Sequence, residues 1–534
     1  DQETGRTLLN VQIDPAAARE SDLLAFEKAI EIGHPASVMC SYNKVNGDWA
    51  CENAPLLTGV LKQDWKYPGW VMSDWGAVHS TVKSALAGLD QESGRELDRE
   101  VYFGAPLQAA VASGAVPKAR YDDMAHRVVR SLYAVGVMDD PPGAVRPFDA
   151  EADAAVAQQA AENGITLLKN ARDLLPVAKT ARRIVVIGGH ADFGVISGGG
   201  SSQVIPAGSL VLKGPPGSPS WGSGVVYLPS SPLAAIKARA PGAQVVFDDG
   251  SDPARAAALA KGADLAVVFA TQWASEDFDI PMALDGNADA LIAAVADANP
   301  RTAVVLETAG AVAMPWLPKV ASVMEAWYPG ARGGEVIGRA LFGEIDTAGR
   351  LPVTFPASTA QLPNPELPGY AGRIAHPEIA NDKLTPFTVT YPEGADVGYR
   401  WFERTGRTPL FAFGHGLSYT RFAYADLKVT GGVTLHATLK VTNAGSRPGV
   451  ATPQVYAAGA GQQKRLVGWG RVRLAPGESR LVSVIADPRD LARFDTAAHH
   501  WSLAGGSYRV SAGAASDDAP LAGETTLRAQ TLAP

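Results

Sequence analysis

The stretch Gly69-Trp70-Val71-Met72-Ser73-Asp74-Trp75-Gly76-Ala77 sets one carboxylate between a short apolar run and a glycine turn. The run Trp70 to Ser73 reads as a buried strand with Asp74 just past its C-terminal end. In a barrel of parallel strands, that end opens on the mouth where chemistry is done. The same pattern also serves a plainer purpose. An Asp ahead of a helical run, here Val78 to Leu86, caps the helix by accepting a free backbone N–H. Locally, capping is the commoner use of such an Asp, so the rest of the chain has to separate the two.

Other reactive side chains are few. Cys40 and Cys51 are the only two cysteines. No His or Cys spacing makes a zinc site, so no metal is expected. The two thiols could stay free and buried or close one small loop. The loop Ser41 to Ala50 follows a strand end and is rich in turn residues, so a bond is expected, and with it an oxidising compartment and an exported (periplasmic or extracellular) protein. His79 lies on the run after Asp74, His190 follows Gly188-Gly189, and His415 stands between glycines; packing or turn roles are expected for all three. The loop Gly198-Gly199-Gly200-Ser201-Ser202 lacks a following Gly-Lys-Ser/Thr and does not open a helix directly after a strand, which excludes a phosphate cradle. Close approach to another domain is expected of it.

The elements that must position these groups follow from length and periodicity. With 534 residues the chain is too long for one core, and two to four domains are expected. Its 46% hydrophobic and 19% charged residues are ordinary for a folded protein. A net charge of -8 without basic runs excludes a nucleic-acid partner, and no apolar stretch is long enough to span a bilayer. Over residues 1–138, strand-like pieces (Leu8 to Ile13, Ala36 to Tyr42, Gly69 to Asp74) alternate with helical ones (Ser21 to Ile32, Asn53 to Trp65), the grammar of βαβ units and a parallel sheet. A full eight-fold barrel takes roughly 250 residues, so this span is expected to be the C-terminal half of a (β/α)8 barrel, opening in mid-pattern at Asp1-Gln2-Glu3-Thr4-Gly5-Arg6. A linker over 139–151 leads to a second α/β domain, 152–356, in which a helix from Ala152 leads to Ile165-Thr166-Leu167-Leu168-Lys169-Asn170 and strands are expected at Ile184 to Ile187, Gln244 to Phe247, Leu265 to Ala270, Thr302 to Glu307 and Val323 to Trp327. Residues 357–422 show no clear period and read as an irregular connector. Short strands between turn signals over 423–534 predict a β-sandwich of fibronectin type III kind. The fold class is thus α/β plus all-β.

Several longer motifs now carry a resemblance. Val38-Met39-Cys40-Ser41-Tyr42-Asn43-Lys44-Val45-Asn46-Gly47 and Val71-Met72-Ser73-Asp74-Trp75-Gly76-Ala77 resemble the catalytic barrel of glycoside hydrolase family 3. So do Tyr328-Pro329-Gly330 with Gly333-Gly334, Gly349-Arg350-Leu351-Pro352-Val353-Thr354-Phe355-Pro356 and Phe413-Gly414-His415-Gly416-Leu417-Ser418-Tyr419-Thr420. The motifs keep the family's order of barrel, α/β sandwich and fibronectin-like domain, as in its bacterial three-domain β-glucosidases. The resemblance implies Asp74 as nucleophile, Trp75 as a wall of the sugar site, and Met39 and Tyr42 as lining of the glycone pocket. It also implies that a Lys-His pair and an earlier Asp and Arg, which bind sugar in the family, fall upstream of Asp1.

Hydrolysis with retention needs two carboxyl groups roughly 5 to 5.5 Å apart. Gln272-Trp273-Ala274-Ser275-Glu276-Asp277-Phe278-Asp279 resembles the family's loop in which a Glu, followed three residues later by Asp, overhangs the barrel mouth. The resemblance thus implies Glu276 as acid/base, although the family usually has Gly where Asp277 stands. Ser201 is expected near the sugar. Arg400 and Phe411, with Tyr399, Trp401 and Phe413, either rim the acceptor site or join the domains. The function implied is a retaining, exo-acting β-glucosidase on cello-oligosaccharides or aryl glucosides. The alternatives are a β-xylosidase or arabinosidase on the same scaffold, or a carbohydrate-binding protein without turnover. No organic cofactor is needed; the partner is a small-molecule substrate, and homo-oligomers are compatible with the sequence.

Overall fold

The computed structural model describes residues 2–534 apart from 96–99, 145–146, 217, 219–221, 223, 377–378, 380–382 and 460. Its first part is built on short parallel strands. Ser37–Cys40 and Trp70–Ser73 pair in parallel with Cys40 opposite Ser73, and Met72 forms a further parallel bridge to Gln91. Asn10–Gln12 pairs in parallel with Lys44–Val45 and, on its other side, with Thr388–Thr390 from the connector. The strand Trp70–Ser73 is fixed from below by a buried carboxylate: Asp90 accepts the Val71 N–H at 2.8 Å and is held by Lys62 at 2.8 Å and Arg120 at 2.7 Å. Burial pulls the Lys62 ammonium down to about 8, against the attraction of Asp90.

Helices surround these strands. The run expected as one helix from Ser21 is preceded by a turn of its own, Pro15–Glu20, capped by Asp14, and continues as Asp22–Gly33. The expected helix Asn53 to Trp65 forms as the π-helix Pro55–Asp64. The helix expected from Val78 begins only at Val82 and runs to Ala87, with Thr81 at its N-cap position. Asp74 therefore caps nothing, which removes its plainer reading.

The second part carries a six-stranded sheet in the order Gln244–Asp248, Arg183–Ile187, Leu265–Gln272, Thr302–Thr308, Ser322–Glu325, Thr166–Asn170, all parallel except the last. Every residue of Leu265–Gln272 and Thr302–Thr308 is buried, as expected of strands covered on both faces. One apolar cluster around Val268, Ile292 and Trp316 fills one face, and another around Val186, Val305 and Ile337 fills the other. A small antiparallel sheet, Val195–Ser197, Val225–Leu228 and Leu210–Leu212, is set beside it.

The C-terminal part is a sandwich. Strands Phe422–Thr430, His436–Asn443 and Ser479–Ile485 face Arg465–Trp469, Gln454–Gly459, Gly506–Gly513 and Leu521–Leu527, and Leu439, Val455, Val510 and Trp501 fill the space between them. It grips the first part through charges: Glu20 accepts from Arg465 and Arg493 at 2.9 and 2.5 Å, and Arg489 pairs with Glu27 and Glu31 at 2.6 and 2.7 Å.

Candidate active site

Asp74 leaves the strand Trp70–Ser73 with its N–H bonded to the Cys40 carbonyl at 3.2 Å. Its Oδ1 accepts the Trp75 N–H at 2.7 Å, and its carboxylate accepts the Tyr42 hydroxyl. Burial first, and then that bond, push the Tyr42 phenol well above its ordinary value, so it stays protonated as a donor. The disulfide Cys40–Cys51, with Cα atoms 5.3 Å apart, closes the loop that carries Tyr42, as expected. The Trp75 ring is braced from the far side by Gly94, whose backbone is left-handed at φ +67° and where a Cβ would lie 2.5 Å from the indole. Met39 and Trp75 expose 58% and 60% of their surface.

Glu276 arrives from the other side, on the loop after Leu265–Gln272. Two groups hold its carboxylate. Ser201 donates its N–H to Oε2 at 2.8 Å and its hydroxyl to the same oxygen, and Arg6 donates to Oε1 at 2.9 Å. Burial is the largest influence on Glu276 and raises its pKa, but the Ser201 and Arg6 bonds outweigh it and leave the pKa below the ordinary glutamate value. Arg6 also pairs with Asp277 at 3.4 Å and Glu3 at 3.3 Å. Its guanidinium lies 4.7 Å from the centre of the Tyr42 ring. Asp74, Tyr42, Arg6 and Glu276 thus form one unbroken chain of contacts between the two parts of the molecule.

The glycine-rich loop makes a close approach within its own part of the molecule, to the loop that carries Glu276, and not to another domain as expected. Gly199 bridges Ser275 and donates to the Ala274 carbonyl at 2.9 Å. At Gly200, φ is +109° and a Cβ would stand 2.6 Å from that of Glu276, so only glycine admits Ser201 to the carboxylate. Asp277 has φ +65°, the left-handed region that glycine adopts freely and Asp tolerates. That explains how Asp277 can stand where the family usually has Gly. Asp279, three residues after Glu276, accepts the backbone N–H groups of Glu3 and Thr4 at 3.2 and 2.6 Å, tying the loop to the start of the chain. Among the described residues, no cluster of three or more His, Cys, Asp or Glu could hold a metal ion.

Two carboxylates linked through Tyr42 and Arg6, from separate α/β parts, fit what the chain is similar to. Residues 1–131 match the Glycosyl hydrolase family 3 N terminal domain, 165–419 the Glycosyl hydrolase family 3 C-terminal domain, and 451–516 the Fibronectin type III-like domain. Beta-glucosidase cel3A of Pyricularia oryzae is 32% identical over 97% of this chain and 74% of its own length. The chain belongs to glycosyl hydrolase family 3. Thermostable beta-glucosidase B of Acetivibrio thermocellus is also 32% identical, over 97% of this chain and 66% of its own. Among solved structures, DesR, a beta-glucosidase from Streptomyces venezuelae in complex with D-glucose, superposes with a TM-score of 0.86 at 30% identity, covering 99% of this chain and 80% of that one. Beta-glucosidase 3B of Thermotoga neapolitana in complex with glucose gives 0.85 at 27%, covering 100% and 76%. Like them, the chain is a glycoside hydrolase.

Within this family 3 fold, Asp74, Trp75, Tyr42, Ser201 and Glu276 lie along one run of contacts, and Met39 is on the strand paired with that of Asp74. Arg400 and Phe411 do not join them. Phe411 packs edge-on against Phe355 and stacks on His415. Arg400 lines a cavity of about 690 Å³ between the helix Asp22–Gly33, the connector and the sandwich. Their neighbours follow suit: the Tyr399 hydroxyl accepts the Leu466 N–H at 2.7 Å and its ring packs on Phe413, while the Trp401 indole donates to the Gln361 carbonyl. Joining the parts is what this segment does, and the acceptor-rim expectation is corrected accordingly. The histidines keep to packing: His79 stacks on Trp49 at 3.9 Å, His190 meets the Tyr227 ring at a tilt at 4.5 Å, and His415 Nε2 lies 2.9 Å from the Leu168 carbonyl. The residue that sequence reading passed over is Arg6. Its partner stands 270 positions away, and the only local sign was an Arg closing a short acidic, turn-rich run.

Proposed function

We propose that the chain is a retaining, exo-acting β-glucosidase in which Asp74 is the nucleophile and Glu276 the acid/base. The contact chain Asp74–Tyr42–Arg6–Glu276 carries this reading, because it links two carboxylates supplied by separate parts of the molecule. The glucose bound in the DesR and Thermotoga neapolitana structures supports a glucoside as substrate. Asp74 attacks the anomeric carbon while Glu276 gives its proton to the departing glycosidic oxygen, leaving glucose joined to Asp74. Water then enters on the same side, Glu276 takes its proton, and attack on the anomeric carbon frees Asp74. Two inversions give net retention.

The electrostatics fit both halves. With Ser201 and Arg6 in place, Glu276 is ionised and ready as a base. A leaving-group oxygen that displaces either of them removes an influence holding the pKa down, and burial then favours the protonated form needed for the acid step. Tyr42 donates to the Asp74 carboxylate, and it orients the nucleophile. The Cys40–Cys51 bond supports an exported enzyme.

Azide rescue tests the assignment. Glu276→Ala should still be glycosylated by a dinitrophenyl β-glucoside, whose leaving group needs little protonation, and should then stall. Azide should restore turnover and give β-glucosyl azide. Rescue confined to Asp74→Ala would reverse the two roles, and faster turnover of aryl β-xylosides than of aryl β-glucosides by the unaltered enzyme would overturn the substrate assignment.

A further inference from the structure

A buried acid that the mechanism does not use stands beneath the loop that carries Ser201. Glu307 lies in the strand Thr302–Thr308 and is wholly buried, at a position where the preceding run Ala303-Val304-Val305-Leu306 would lead one to expect another apolar residue. Burying a carboxyl group is costly unless a partner compensates. Its Oε2 accepts the Ile196 N–H at 2.9 Å, and its Oε1 has no hydrogen-bond partner among the described residues.

Ile196 is the centre of the strand Val195–Ser197, the edge of the small antiparallel sheet. An edge strand presents outward N–H groups with no neighbouring strand to accept them. Glu307 supplies that acceptor for Ile196, and one residue past the strand's end the chain enters Gly198. From there it is pinned three times more: the Gln203 amide donates to the Gly198 carbonyl at 3.1 Å, Gly199 donates to the Ala274 carbonyl, and Ser201 donates to Glu276. The run Gly198-Gly199-Gly200 brings no side chain of its own, so the register of the strand sets where the loop starts.

Resting on the roles given above to Asp74 and Glu276, we propose that Glu307 is a positioning residue. By accepting the Ile196 N–H it holds the strand Val195–Ser197 in register, and so holds Ser201 against Glu276.

The surroundings suit an uncharged acceptor. Glu325 faces Glu307 from the adjacent strand, Tyr227 from the small sheet, and Asp285 lies beyond Tyr227. Burial pushes the Glu307 carboxyl up to about 8, so at neutral pH it accepts from Ile196 as a neutral acid and does not repel Glu325.

The test compares pH profiles of kcat/KM for a phenyl β-glucoside. Ser201 holds the Glu276 pKa down, and Glu276 must be protonated for glycosylation, so its ionisation is the descending limb. Glu307→Leu, which fills the volume and offers no acceptor, and Glu307→Ala should each move that limb upward by about half a unit to one unit. They should also lower kcat/KM about tenfold, as for a lost hydrogen bond. Glu307→Gln keeps a neutral carbonyl for Ile196 and should return the limb to its original place. Ser201→Ala should shift the limb in the same direction, and combining it with Glu307→Leu should add nothing further. If both Glu307→Leu and Glu307→Ala fail to fold, Ile196→Pro deletes the donor from the other side, on an edge strand that tolerates proline, and should give the same shift. A variant that lowers the Tm but leaves the limb unmoved, or a double variant whose shifts add, overturns the proposal. Glu276→Gln separates the two levels of inference. It should abolish the limb, and a limb that survives it overturns the role of Glu276 and this proposal together. A limb lost in Glu276→Gln yet unmoved in the Glu307 variants overturns this proposal alone.

Discussion

At the scale of single residues, each carboxylate is managed by neighbours of a different kind. Asp74 receives a phenol and a backbone N–H, which orient it without adding charge. Glu276 receives a guanidinium and both donors of one serine. Tyr42→Phe removes a hydrogen bond to a charged group and little else. It should lower kcat/KM for aryl β-glucosides by about 10- to 100-fold with little change in Tm; steady-state kinetics beside a melting curve check this. Alkylation of the denatured enzyme, isolated from its native compartment without reductant, should label neither Cys40 nor Cys51, and both after reduction. Labelling before reduction would remove the support for export. Asp74 was legible because an apolar strand stops at it. Glu276 was legible only through a long motif, since its loop has an ordinary acidic composition. Arg6 was not legible, because its role comes from partners distant in sequence.

Among elements, the buried ends of the parallel strands carry a pH dependence. Burial raises both Glu307 and Glu325 to about 8 from an ordinary 4.5. Groups whose folded pKa is raised contribute stability that is full below the unfolded value and is lost as pH rises through the folded one. Tm should therefore fall as pH rises from about 4.5 to about 8, and Glu307→Gln, which cannot ionise, should flatten that slope; calorimetry across the range checks it. The long buried strands of the second part were legible as continuous apolar runs. The three short strands around Val225–Leu228 were not, since three or four residues carry too little period. The connector's Thr388–Thr390 escaped for another reason: it pairs with Asn10–Gln12, far away in sequence, and no local pattern announces such a partner. The helix expected after Asp74 starts late because Trp75-Gly76 form a turn and residues 77–80 take no regular structure before Thr81.

For the whole molecule, the sandwich is more than an appendage. It holds the helices of the first part through Glu20, Glu27, Glu31 and Asp64, which meet Arg465, Arg489, Arg493 and His499. Glu20 is buried and also accepts the Phe494 N–H at 3.0 Å. Glu20→Ala leaves the buried Arg465 without its carboxylate and should cost about 3 to 5 kcal/mol of stability, read by denaturant titration. Because the pair is dry, added salt should change that loss little. The same coupling lets one part supply Asp74 and another Glu276, so the division of labour between the two carboxylates is the claim on which the rest depends. Trapping the covalent intermediate tests it most directly. The enzyme is inactivated with dinitrophenyl 2-deoxy-2-fluoro-β-glucoside, digested, and the labelled peptide sequenced by mass spectrometry. The account predicts one fluoroglucosyl group per chain, attached to the Asp74 carboxylate; a label on Glu276, or unimpaired turnover with no label on Asp74, would contradict it.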